Sequence, residues 1–422
     1  MRRGKGIAVL YPYSNLDTVP SLCAALESLA SSHLPVDIFM PMPTDFRFPS
    51  FANPNIRVIA VPYNSPPRTK FSHSKGMPHR FLRHRFLRPV KSLLGRFVSI
   101  SLHPLARKIL QYHLTASYRC IIGVDPHGVT RADPVARLLR VPIIYWSLEL
   151  LLSYEVPNDW WRRLKEQERM ASQRAAFVVI QDEERARLMA SDNGIPWDRF
   201  LFIPNAPLGP VDGSPSHYWH SRLDLSPKQR VVLHAGSLTS WTGIKDIVAS
   251  VRDWPGEWVL VVHSRYKSND KSILQELRSL DKTHRVIFST EPALRAQYTE
   301  LVRGAKVGIA FYYPVYGSPY TQENIRMIGL SSGKIAYYLW AGLPVIINRW
   351  PSLSELIEQE RCGVVVNTAA EIRDALSTID RHCEEYSRNA HRVFERYFDP
   401  SKGIQRLVDR LHQLEENENA NH

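Results

Sequence analysis

The sequence predicts an α/β protein of two domains, each an open parallel sheet wrapped by helices, with both sheets facing one interdomain cleft. Three observations carry this expectation. Short β-rich apolar runs alternate with helical stretches through both halves of the chain. A stretch dense in Pro, Gly and Ser, residues 205–217, separates the halves as a connection would. With 422 residues, 44% hydrophobic and 23% charged, there is material for two proper cores in an ordinary soluble composition.

In chain order, strands are expected at Ile7–Tyr11, Val36–Met40, Ile56–Val61, Cys120–Val124, Pro142–Trp146, Phe177–Gln181 and Phe200–Ile203. Helices between them include Pro20–Ser31, Ala132–Leu139 and Trp160–Arg174. The second half repeats the rhythm with strands at Val231–His234, Trp258–His263, Val286–Ser289, Val307–Phe311, Pro344–Asn348 and Gly363–Val366. The expected division is a first domain over 1–210, a linker over 211–228 and a second domain over 229–398. Residues 399–422 form a helix returning toward the first domain and a polar tail, with Glu415–His422 disordered. Open parallel sheets place ligands beyond the carboxyl ends of their strands, so the cleft is the expected site.

Composition removes several function classes. Cys23, Cys120, Cys362 and Cys383 are scattered, which indicates neither a zinc site nor a disulfide framework and suits a reducing, cytoplasmic setting. The apolar run after the basic start, Ile7–Leu10, is too short for a signal peptide, and no run approaches a bilayer span. The net charge of +13 is unevenly placed: Phe46–Val124 contains no Asp or Glu. Inside that window Phe81, Leu82, Phe86, Leu87, Val90, Leu93, Leu94, Phe97 and Val98 recur at helical spacing among Arg83, Arg85, Arg88, Lys91 and Arg96. The segment 81–98 reads as a helix packed on its own domain, or as one lying on an anionic membrane surface at the inner face. No recognition motif accompanies the charge, so nucleic acid is not an expected partner.

The most informative text is Gly329-Leu-Ser-Ser-Gly-Lys-Ile-Ala-Tyr-Tyr-Leu-Trp-Ala-Gly-Leu-Pro-Val-Ile-Ile-Asn348. It reads as a small-residue loop, a short helix, a Gly-Leu-Pro turn and a buried strand. Ser331, Ser332 and Gly333 leave unpaired N–H groups at the helix start, and Lys334 adds a positive charge. The dipole alone contributes about 0.3–1 kcal/mol, so a diphosphate needs further donors from elsewhere. A nucleotide-triphosphatase loop is excluded, because Gly329 lies only four residues before Gly333 and Ile335 stands where a hydroxyl belongs. Two readings of the loop remain: an anion site, or a serine-capped helix whose lysine faces solvent.

Several segments together resemble a GT-B glycosyltransferase, most similar to the large retaining family 4 (glycosyl transferases group 1). They are Ala176–Arg185, Phe202–Pro207, Val231–Gly243, Glu257–Arg265, Arg285–Ser289, Tyr298–Phe311 and Ser331–Asn348. The resemblance covers about residues 119–400; before that it rests on Ile7–Tyr11 and general rhythm. It implies two Rossmann-like domains and transfer of a sugar from a nucleotide diphosphate sugar to a hydroxyl of a glycan or lipid-linked acceptor. It implies no cofactor beyond that donor, and no metal. In a retaining reaction the departing phosphate accepts the acceptor's proton; an inverting one needs a base, for which Asp125 or His127 stand nearest. Their plainer reading is a turn, Asp-Pro-His-Gly.

The chain departs from the family's pattern at three places. Ser237 and Thr242 stand where many members carry an Arg and a Lys, and Tyr337 stands where the family offers a ribose-binding Glu. The diphosphate then falls to Lys334, to Arg265 and to the N–H groups around Gly236, Ser237 and Ser332. Tyr337 either hydrogen-bonds a hydroxyl or packs in the core. Glu149 either faces the cleft or is a paired loop residue. Trp241 either stacks on a base or sugar, or packs. Asn324 and Arg326 either orient the sugar and phosphates or lie at the surface. Two other function classes stay open: a sugar-nucleotide epimerase of the same architecture, which needs no acceptor, and a non-catalytic nucleotide-sugar-binding module.

Overall fold

The computed structural model describes residues 5–42, 48–62, 103–209, 216–265 and 271–420. The basic segment 81–98 lies outside the described residues.

Thirteen strands form two sheets among the described residues. The first contains β1 (Gly6–Leu10), β2 (Val36–Pro41), β3 (Ile56–Val61), β4 (Tyr118–Val124), β5 (Ile143–Trp146), β6 (Phe177–Ile180) and β7 (Phe200–Phe202). The second contains β8 (Arg230–Gly236), β9 (Trp258–Ser264), β10 (Val286–Ser289), β11 (Val307–Ala310), β12 (Val345–Asn348) and β13 (Gly363–Val366). Every strand pairing is parallel. Helices cover both faces of each sheet, which is why these strands read as continuous apolar runs. Each sheet accordingly carries two apolar layers, one per face.

The strand orders are β3-β2-β1-β4-β5-β6-β7 and β10-β9-β8-β11-β12-β13. Both reverse direction once, between β1 and β4 and between β8 and β11. Chain leaving those four strands therefore diverges and opens a crevice at each switch point. The segments concerned begin at Tyr11, Asp125, Ser237 and Phe311.

Three expectations change. The Asp-Pro-His-Gly stretch opens the helix Asp125–Leu139, where a turn was expected before a helix at Ala132. Proline is compatible with a first helical turn, and Gly128 lets that turn approach β1: a Cβ there would lie 2.9 Å from the Leu10 carbonyl oxygen. The span 211–228 contains the helix Tyr218–Leu223, whose buried Trp219 donates through Nε1 to Leu301 O at 2.8 Å and packs in the second domain's core. The last helix runs Ser401–Ala420, across residues expected to be disordered. Ile404, Leu407, Val408 and Leu411 seat it on the first domain, and an anchored helix extends at little cost per residue. Gly403 makes the docking close, since a Cβ there would meet Phe202 O at 2.3 Å.

Candidate active site

The helix Gly333–Trp340 begins inside the seam between the domains. Ser332 is its N-cap: its Oγ accepts from Ile335 N at 3.2 Å and lies 2.5 Å from the Tyr312 hydroxyl. Across the seam, Asn205 donates through Nδ2 to Ser331 O at 3.1 Å and through its backbone N to Leu330 O at 2.9 Å. Ser21 Oγ in turn donates to Asn205 Oδ1 at 2.9 Å. A Cβ on Gly333 would lie 3.3 Å from Asn205 Nδ2, so the helix end faces the cleft with Asn205 across part of it.

Lys334 points away from solvent, so its loop is a serine-capped helix start whose lysine does not face solvent. Its side chain is buried, and Nζ has no hydrogen-bond partner among the described residues. Burial and then the charge of Arg265 bring its pKa down to about 7. The ammonium fits there because β8 ends in glycine: a Cβ on Gly236 would stand 2.8 Å from Lys334 Cε and 3.2 Å from Nζ. Tyr312 offers its ring at 5.3 Å. His234, buried beside it, is held neutral by burial and by the Lys334 charge. A buried cation without a partner is costly, and an arriving anion relieves that cost.

Arg265 lies at the mouth of the same seam. Its Nη2 donates to Thr18 O of the first domain at 2.8 Å, and its guanidinium sits 4.6 Å from the Tyr298 ring and 5.8 Å from that of Tyr337. Tyr337 both packs and lines the cleft: it is buried, edge-on to Tyr298 at 4.7 Å, and borders the interdomain pocket with Arg265, His263, Asp17 and Thr18. Trp241 stacks on Tyr312 at 6.1 Å and 12°, so one face meets a protein ring. Ser237 Oγ lies 3.4 Å from Thr239 Oγ1.

The acid and base candidates of the first domain form a separate group. Asp125 is fully buried, and its Oδ1 accepts from Leu148 N at 2.7 Å and Glu149 N at 3.0 Å, so it shapes the loop after β5. His127 packs among Tyr13, Trp160 and Trp161, and burial followed by Arg131 and His103 lowers its pKa to about 3. Glu149 accepts from Asn324 Nδ2. Asn324 is buried, which removes the surface reading for it, while Arg326 is exposed and pairs with Glu323 at 2.7 Å.

Arg185 ends the segment Ala176–Arg185, and nothing in its local sequence marks it as a site residue. Its fully buried guanidinium leaves the first domain to donate to Asn324 Oδ1 at 2.7 Å, Met327 O at 3.1 Å and Ser331 Oγ at 3.3 Å. It also donates to Leu148 O at 2.9 Å within its own domain. Arg185 thus ties the acid group to the loop that leads into Ser332. Among the described residues no group of three or more His, Cys, Asp or Glu is arranged to hold a metal ion. None of the described helices is long and apolar enough to cross a membrane.

Residues 318–397, which include this loop, helix and strand, match the model of the glucosyltransferase 3-like C-terminal domain. Solved structures match across nearly the whole chain. HepE from Anabaena, solved in complex with UDP, shares 14% identity at a TM-score of 0.63, over 97% of this chain and 100% of that one. The chain has the GT-B fold of these structures. Sucrose-phosphate synthase from Thermosynechococcus elongatus shares 16% identity at a TM-score of 0.66, over 98% of this chain and 100% of that one. WaaG, a glycosyltransferase involved in lipopolysaccharide biosynthesis, shares 13% identity at 0.62, over 94% of this chain and 98% of that one. No curated protein matches by sequence.

Within this GT-B frame the sequence signal for Arg185 and Asn205 lies in their segments. Both fall in the stretches Ala176–Arg185 and Phe202–Pro207, which end the first domain and face the second. His234 and Asp17 carried no such signal, because each sits in a short loop or strand whose neighbours come from elsewhere in the chain.

Proposed function

We propose that this chain transfers a sugar from a nucleotide diphosphate sugar to a hydroxyl of a glycan or lipid-linked acceptor, with retention and without bound metal. One observation carries the reading: the buried, unpartnered Lys334 ammonium beside Gly236, at a helix start that faces the interdomain seam. In the transfer the bond from the sugar's anomeric carbon to the β-phosphate oxygen breaks and a bond to the acceptor oxygen forms. Lys334 and the helix N–H groups offset the charge that develops on the departing diphosphate, in a site already ordered and poor in water. The acceptor's proton passes to that phosphate. Retention is supported by the commitments of the two candidate bases: Asp125 Oδ1 is held by two backbone N–H groups, and His127 is too weak a base near neutral pH.

UDP is the first nucleotide to test, since HepE is solved with UDP and with UDP-glucose. Thermal-shift screening against UDP, GDP, ADP and TDP should reveal one preferred stabilising ligand. Lys334→Ala should then abolish transfer while the variant remains folded by circular dichroism; undiminished transfer would remove the role assigned to this lysine. Incubation with donor alone separates transfer from epimerisation, which needs no acceptor. Contact of the basic segment 81–98 with anionic membrane is proposed from charge pattern only. Its check is liposome flotation before and after Arg83, Arg85 and Arg88 are changed to Glu.

A further inference from the structure

The interdomain pocket beside Arg265 contains a carboxylate that the proposed transfer leaves unused. Asp17 and Thr18 line this pocket from the first domain; Arg265, His263, Tyr298 and Tyr337 line it from the second. The arginines bordering it already have partners: Arg265 donates to Thr18 O at 2.8 Å, and Arg295 pairs with Glu27. Asp17 Oδ1, by contrast, is buried with no hydrogen-bond partner among the described residues. Burial is the main reason its carboxyl pKa rises to about 6, with Arg295 opposing the rise and Glu27 adding to it. An acceptor withdrawn from water and left unpaired costs free energy that an incoming donor would recover.

The surroundings restrict what that donor can be. Two guanidiniums at the rim favour a ligand with negative charge, and the Tyr298 and Tyr337 rings favour a ring-shaped body with apolar faces. A carboxylate accepts two parallel hydrogen bonds, the match for two hydroxyls on adjacent carbons. A nucleotide's ribose brings those hydroxyls on a ring attached to a diphosphate. We propose that Asp17, reaching across the seam from the first domain, accepts the ribose hydroxyls of the bound nucleotide. The inference rests on the nucleotide-sugar reading above and adds to it: ribose recognition is complete only when both domains are together, so nucleotide binding favours closure.

The test is calorimetric titration of the full chain with whichever of UDP, GDP or ADP binds, and with its 2′-deoxy counterpart. Wild type should prefer the ribonucleotide by about tenfold or more, because the deoxy form leaves the buried oxygen unpaired. Asp17→Ala should weaken ribonucleotide binding to the level of the deoxy form, so that the two then differ by less than about twofold. Asp17→Asn, close in shape, guards against misfolding and should likewise narrow the preference. Wild type without a preference, or an Asp17→Ala variant that keeps it, overturns the role of Asp17 and leaves the donor reading standing. Failure of all three nucleotides to bind the wild type overturns the donor reading and the inference with it.

Discussion

Two cations are buried where the domains meet, and their surroundings are opposites. Arg185 is fully buried and has acceptors from both domains: Leu148 O, Asn324 Oδ1, Met327 O and Ser331 Oγ. Lys334 is buried nearly as deeply, at 7% exposed, and its Nζ has no hydrogen-bond partner among the described residues. At Arg185 the folded chain offsets part of the cost of removing a charge from water through these acceptors, although burial still lowers its pKa and its Nε has no hydrogen-bond partner among the described residues. At Lys334 no acceptor among the described residues offsets that cost. A buried charge with acceptors in place holds structure together; one without them is, on the function proposed above, offset by the donor's diphosphate.

The sharpest way to break this contrast is to replace each cation by Met. Lys334→Met should lower transfer by about 10²–10³-fold, the loss typical of removing one charge-stabilising donor from a transition state. The same change should leave thermal stability unchanged or raise it, because it deletes an unpaired buried charge. Arg185→Met should do the reverse in the melting experiment. It strands several buried acceptors at once, for a loss of about 3 kcal/mol or more. If both variants lose stability alike, the distinction between the two cations is wrong.

The pair also differ in how they answer to pH. Arg185 keeps its proton throughout the accessible range. Lys334, with its pKa brought down to about 7, is mostly neutral in the native chain between pH 7 and 10 while the unfolded chain still holds the proton. The unfolded state then binds more protons, so this lysine makes stability rise with pH across that window; Lys334→Met should flatten the rise. Donor binding has the opposite slope, since the ammonium must be charged to meet a diphosphate. Affinity for UDP-glucose, whose diphosphate has no group titrating there, should fall by up to about tenfold per pH unit above 7. Calorimetry from pH 6.5 to 9 checks this, and a flat profile would mean that Lys334 does not meet the phosphates.

What could be read from the sequence follows the same division. The corner at Ser332 was legible because its parts are neighbours in the chain: a capping serine, a glycine, a lysine and the helix they open. The strands were legible because burial on both faces writes itself into continuous apolar runs such as Val231–Leu233 and Val345–Ile347. Arg185 and Asn324 were not, since they are 139 residues apart and acquire their roles only when the domains dock. Asp125-Pro-His-Gly misled for a related reason. Proline and glycine favour a turn locally, yet here the glycine is the contact that lets a helix start against β1. Solvent exposure of Lys334 was likewise undecidable without knowing that Gly236 leaves it room.

The smallest expected effect tests the comparison at its most local. Asn324 and Arg326 are two residues apart on one short helix, and the sequence offers both either as sugar- and phosphate-orienting residues or as surface residues. Asn324 is 4% exposed and joins Leu150 N at 2.9 Å and Arg185 at 2.7 Å through Oδ1, while its Nδ2 reaches Glu149 and Tyr320 O. Arg326 pairs with Glu323 in a salt bridge where its own side chain is 47% exposed. Such a pair contributes about 0–1 kcal/mol, so Arg326→Ala should shift the melting midpoint by a degree or two and leave transfer intact. Asn324→Ala should cost more, because it leaves the Leu150 N–H and part of the Arg185 guanidinium without acceptors. Equal, small effects from both would mean that water replaces the Asn324 contacts, and that the seam is wetter and looser than the hydrogen bonds across it require.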